Sequence, residues 1–162
     1  MAIKALIEHL DLERAVYMDL IAVLQAETDH LVNRDYKGLY DTVGRKEHLL
    51  LKIDSMGEVR AALLSRSAAA FGVDGFINLS AVIELLKAEE KEELKARQAS
   101  ILSLIDAIKE INKVNAVVVK GSLENINKTL GLLGNFLPRR NYRATGGLVP
   151  EAVKGSRLSE GA

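Results

Sequence analysis

At 162 residues the chain has room for one domain with a sizeable core. Hydrophobic residues make up 48% of it, yet tryptophan is absent and aromatic residues reach only 4%, so the core must be aliphatic, as in helical bundles and coiled coils. Lysine plus arginine, at 22, balances aspartate plus glutamate, at 22, which argues against a nucleic-acid partner, and the absence of cysteine excludes disulfides, thiolate metal sites and cysteine nucleophiles.

The first helix is expected over residues 2–32. Ile3, Leu6, Leu10, Glu13, Tyr17, Leu20, Leu24, Glu27 and Leu31 step by three and four throughout, and two of these seam positions are glutamates. Residues 1–11 mix charges into that pattern and lack the apolar run of a signal peptide, and no segment has the ~20 unbroken apolar residues of a membrane span. The expectation is a cytoplasmic protein with no stable membrane insertion. Asn33-Arg34-Asp35 forms the turn, with Asp35 as N-cap of a second helix over 36–71 that Gly72 stops in the C′ position. Its seam is Leu39, Val43, Lys46, Leu50, Ile53, Gly57, Arg60 and Leu64. Two long helices joined by so short a loop lie antiparallel. Counting outward from the turn brings Lys46 within a helical turn of Glu27, a structural polar pair that would set the register of an aliphatic seam.

Residues 72–75 read as a loop, and Asn78 caps a short helix over 79–87. Glu89, Glu90, Glu92 and Glu93 then crowd one place, where the positive end of a new helix would stabilise them, so a boundary is expected near Ala88, the alternative being a single helix from Asn78 onward with a solvated acidic face. The last helix is expected over 88–137. Its heptad seam is Leu94, Gln98, Ile101, Ile105, Ile108, Asn112, Asn115, Val119, Ser122, Ile126, Thr129, Leu133 and Phe136. A helix of about 50 residues at ~1.5 Å per residue is ~75 Å long, more than a domain of this size can cover along its whole length. The seam is uniformly apolar from Ile101 to Ile108 and mixed after Ile111, which divides it into bundle core and an apolar docking surface that also includes Val117, Val118, Leu123, Leu130 and Leu132. Gly121, Gly131 and Gly134 lie in this second half, where each costs about 1 kcal/mol against alanine and permits close approach of another helix. After Pro138 the composition turns to glycine and arginine, and residues 138–162 are expected to form a flexible tail.

Chemical motifs are weak. Glu27-x-x-His30 is half of a di-iron bundle motif, but His9 and His48 stand next to glutamates rather than three residues away, so solvated histidines and no metal site are expected. Lys120-Gly121-Ser122 lacks the earlier glycine and the preceding strand of a phosphate-binding loop. Nothing supplies the strained turn or oxyanion loop of a catalytic nucleophile, so neither catalytic residues nor a cofactor are expected.

Taken in order, the two long helices with Glu27 and Lys46, the short third helix, the long fourth helix with Asn112-x-x-Asn115 and the Tyr142-Arg143-Ala144-Thr145-Gly146 tail resemble the FlgN-type flagellar export chaperones. The resemblance covers nearly the whole chain. It implies a cytoplasmic chaperone that binds the terminal helix of hook-filament junction proteins, prevents their premature assembly and delivers them to the flagellar type III export gate. It also implies that the client is held by the apolar positions of the last half-helix, here Val118, Val119, Ser122, Leu123, Ile126, Leu130, Leu133, Phe136 and Leu137, and that Tyr142 contacts the export gate. Pro138, Arg139 and Arg140 just before Tyr142 depart from a helical setting for that tyrosine.

The expectation is therefore an all-α antiparallel bundle, monomeric or weakly homodimeric, that captures a partner helix on an exposed apolar stripe. The rival is a structural coiled-coil protein that self-associates through the same face.

Overall fold

The computed structural model describes the backbone of residues 2–75 and 77–134 and, apart from positions 126 and 129–134, their side chains. Four helices occur among the described residues: α1 (Ala2–Asn33), α2 (Tyr36–Ala69), α3 (Leu79–Leu85) and α4 (Ala88–Gly134). The chain divides into two units, Met1–Lys120 and Gly121–Ala162. In the second unit α4 is helical to Gly134, and Gly121, Ser122, Leu123, Glu124, Asn125, Asn127 and Lys128 are exposed. The positions 135–162, which include the expected end of the last helix and the expected flexible tail, lie outside the described residues.

Local sequence accounts for the helix ends of the first unit. Arg34 takes a left-handed φ of 57°, and the N–H of Asp35 reaches back to the His30 carbonyl at 2.9 Å, closing α1 in a Schellman motif without a glycine. Asp35 then caps α2, its Oδ1 accepting the Gly38 N–H at 3.0 Å. Gly72 (φ 74°) and Val73 close α2, donating to the carbonyls of Ala69 and Ala68 at 3.0 and 3.1 Å. Asn78 Oδ1 accepts the Ala81 N–H at 2.9 Å to start α3. Leu86 is extended (φ −88°, ψ 158°), so α3 and α4 are separate helices, and Glu89 and Glu90 occupy the first turn of α4.

The α1–α2 pair is antiparallel, with Lys46 beside Glu27 and Arg60 beside Glu13. On its other flank α1 carries α4 in the parallel sense: Arg97 chelates Asp11 near the start of both helices, and Asn115 meets Leu24, Glu27 and Thr28 further on. Stepping back by heptads from Glu27 and Asn115 together reaches Leu20 with Ile108, Glu13 with Ile101, and Leu6 with Leu94. All of these are buried except Ile108, which is half-buried. The aliphatic centre joins Leu6 and Leu10 of α1, Leu64 of α2, Val82, Ile83 and Leu86 at α3, and Leu94 and Ile101 of α4. Each such side chain, fully covered, contributes roughly 1.5–3 kcal/mol.

Two expectations are corrected here. The bundle core does not end at Ile111: Ile105 and Ile108 are only half-buried, whereas Asn115 is buried, because the position seven residues beyond Ile108 returns to the face that meets α1. Nor are the histidines all solvated. His9 is buried and His30 half-buried, its Nδ1 2.9 Å from Asp35 Oδ2, while His48 is exposed.

Candidate functional site

Two polar layers cross the first unit, two heptads apart. In the first, Glu13 is only 3% exposed. Its Oε2 accepts from Arg60 Nη1 at 2.5 Å, and its Oε1 lies 3.1 Å from His9 Nε2. His9 Nε2 also faces the Met56 carbonyl at 2.9 Å. Both of its neighbours are acceptors, so this nitrogen carries the proton. Burial works against the Arg60 charge, but the hydrogen bond and charge of Glu13, with Tyr17 beside it, hold the guanidinium above its ordinary range.

In the second layer, Lys46 Nζ donates to Glu27 Oε1 at 2.5 Å. Asn115 Nδ2 donates to Glu27 Oε2 at 3.0 Å and to the Leu24 carbonyl at 3.2 Å. Its Oδ1 accepts from Thr28 Oγ1 at 2.6 Å. One carboxylate thus joins α1, α2 and α4. In both layers the acid is more deeply buried than its cation, whose end reaches toward water and lessens the desolvation cost. These groups are occupied with one another, and among the described residues no cluster of histidine, aspartate and glutamate is arranged to hold a metal ion.

The apolar surface lies elsewhere. Between α2 and α4, over Leu10 and Tyr17 of α1, runs a groove of about 600 Å³ lined by Gly57, Ala61, Leu64, Ile101, Leu102 and Ile105 among others. Along α4, Leu102, Val114, Val117, Val119 and Leu123 are exposed, Val117 at 67% and Leu123 at 55%. Of the positions expected to hold a client, Val119 and Leu123 are therefore open. Val118 is half-buried and Ser122 exposed, and each takes part in an interaction within the chain. The side chains of Ile126, Leu130 and Leu133, and the whole of Phe136, Leu137 and Tyr142, lie outside what the structure describes.

Sequence reasoning placed Lys46 by Glu27 and missed the other partners. A step of two heptads from that pair, backward in α1 and forward in α2, reaches Glu13 and Arg60. Three steps of seven from Leu94, through Ile101 and Ile108, reach Asn115 and pass over the exposed Asn112 of the alternating line.

Fold and surface together define an all-α bundle protein in which buried polar groups join helices and the last helix carries exposed aliphatic residues. The family model of the FlgN protein matches residues 1–150, and the chain belongs to that family, the flagellar export chaperones. No curated relative and no solved structure matches the chain. No helix among the described residues is long and apolar enough to cross a membrane.

Proposed function

We propose that this protein is a cytoplasmic chaperone for hook-filament junction proteins, which it binds through their terminal helix, keeps from assembling early and delivers to the flagellar export gate. Family membership supports the client class. The observation that carries the binding mode is the exposure of Val117, Val119 and Leu123 on α4, where singly charged or polar side chains would cost nothing. A client helix laid along positions 118–137 buries its own apolar stripe there and is thereby withheld from polymerisation. Val118, Ser122, Ile126, Leu130, Leu133, Phe136 and Leu137 extend that contact, and Tyr142 is assigned to the export gate.

Replacing Val119, Ile126 and Leu133 together by aspartate tests the reading. Each aliphatic side chain buried on binding contributes roughly 1.5–3 kcal/mol, and an unpaired charge cannot be buried in its place. Calorimetry against the terminal helix of a junction protein should show binding lost with the helical circular dichroism retained. Light scattering on the same variant separates the self-associating coiled coil, which would instead lose a dimer. Unchanged client affinity removes this half-helix as the chaperone surface.

A further inference from the structure

The line by which α4 meets α1 is Leu94, Ile101, Ile108 and Asn115, at intervals of seven, all buried but the half-buried Ile108. Its first three residues are aliphatic, so a slide of α4 by one heptad keeps an aliphatic residue opposite two of Leu6, Glu13 and Leu20, and sets Lys87 opposite Leu6 in one direction or Asn115 opposite Leu20 in the other. Apolar contact therefore separates the native register from its neighbours at one position in three. Asn115 separates them further. It is 5% exposed and uses both ends of its amide on α1, toward Glu27, Leu24 and Thr28. After a slide in one direction Ile108 would stand level with Glu27 and offer no donor. In the other direction Ser122 would stand there, with one short hydroxyl for three groups. The Arg97–Asp11 pair also reads register, but it is partly solvated, and Arg97 is shared with Glu93 at 3.2 Å, which weakens its vote.

We infer that Asn115 is a positioning residue: it fixes the register of α4 on α1 and, through Glu27, on Lys46 of α2, and so sets the residue at which the partner-facing stretch of α4 begins. The last clause rests on the proposed function. A slide of seven residues at ~1.5 Å each moves that starting point by about 10 Å. One direction of slide would set Val117 and Val119 at the levels that Glu110 and Asn112 now hold.

The chain has no native cysteine, so a spin-label pair can be introduced cleanly. Glu8→Cys on α1 and Ser103→Cys on α4, both exposed, give a distance across the two helices by double electron–electron resonance on the full chain. With Asn115 present, a single distance population is expected. With Asn115→Leu, a second population is expected, corresponding to a displacement of about 10 Å along the helix axis, while the thermal midpoint stays level or rises. A single unshifted population in Asn115→Leu overturns the inference, as does a lowered thermal midpoint with no second population, which marks an ordinary stabilising contact. Should the leucine variant not fold, Asn115→Ser carries the same expectation of a second population. The junction-protein helix, titrated into the labelled variant, separates the two proposals. Two populations with unchanged client affinity uphold the register role and count against the client surface on α4. One population overturns the register role whatever the affinity does.

Discussion

Arg60→Met should destabilise the protein by about 2–3 kcal/mol, whereas Glu13→Leu should cost at most about 1 kcal/mol, although the two residues form one ion pair. The asymmetry comes from burial. Glu13 is enclosed, and once Arg60 is gone its carboxylate keeps only His9 Nε2, at 3.1 Å, as donor. Breaking a wholly buried pair costs about 3–5 kcal/mol, and the remaining donor lowers that figure here. In the opposite variant the Arg60 side chain, one-third exposed, turns to water, and His9 keeps the Met56 carbonyl at 2.9 Å. Glu13→Leu with Arg60→Met removes both charges, leaves an aliphatic layer between Leu6 and Leu20, and should return to within about 1 kcal/mol of the wild type, a coupling of roughly 2 kcal/mol. Urea denaturation with a common slope reads all four corners of this cycle, and a loss of this size is a large part of the 5–15 kcal/mol typical of a domain. Equal costs for the two single changes, or a double variant as unstable as their sum, would refute the claim that desolvation of the acid dominates this layer.

Arg34→Gly should raise stability by about 1 kcal/mol, because Arg34 holds a φ of 57° at the C′ position of α1, where a side chain is strained and glycine is not; an unchanged or lower thermal midpoint would count against it. The pH dependence of the α2 cap has a defined sign. The Gly38 N–H bond first, and the charge and hydrogen bond of His30 after it, hold the Asp35 carboxyl below its ordinary 3.8. Its stabilising contribution is therefore complete above that value and is lost as pH falls through the lower folded value. Asp35→Asn keeps a capping oxygen without the charge, so the stability gap between wild type and variant should narrow as pH falls below 3.8. A gap that widens as pH falls below 3.8 reverses the sign and counts against the capping role.

The fold was legible wherever a short stretch of chain decides it. Helix periodicity, the caps at Asp35 and Asn78, the left-handed Gly72 and the break before Ala88 depend on neighbours a few residues away. The proximity of Lys46 to Glu27 needs only the length of the turn between α1 and α2. Burial of His9 and Asn115 was not legible, because it depends on which helix α1 meets on each flank and in which direction. A seam written in alternating threes and fours treats Asn112 and Asn115 alike, yet only the parallel placement of α4 turns Asn115 toward Glu27 and leaves Asn112 in solvent. His9 sits one position before Leu10, on the edge of the seam that the α2 backbone at Met56 covers. Polar residues at seam positions carry the information that aliphatic ones do not, but only as pairs, and the pairing is tertiary.

The stretch of α4 after Ile111 is also expensive as a helix. Val114, Val117, Val118, Val119 and Gly121 together cost roughly 3 kcal/mol relative to alanine, and Val114, Val117 and Val119 gain little from burial inside the protein. A solvated helix of this length has no need of four valines and a glycine, since alanine, glutamate or lysine would form it at less cost. The same residues become favourable once a second helix lies over them, because β-branched side chains present a stiff apolar surface and glycine admits a close backbone. Two such side chains fully covered by a client contribute roughly 3–6 kcal/mol, enough to offset the whole helix cost. Under the proposed function, client capture then recovers the helix cost of this segment, and Asn115 marks a level at which α4 is already held by its own chain.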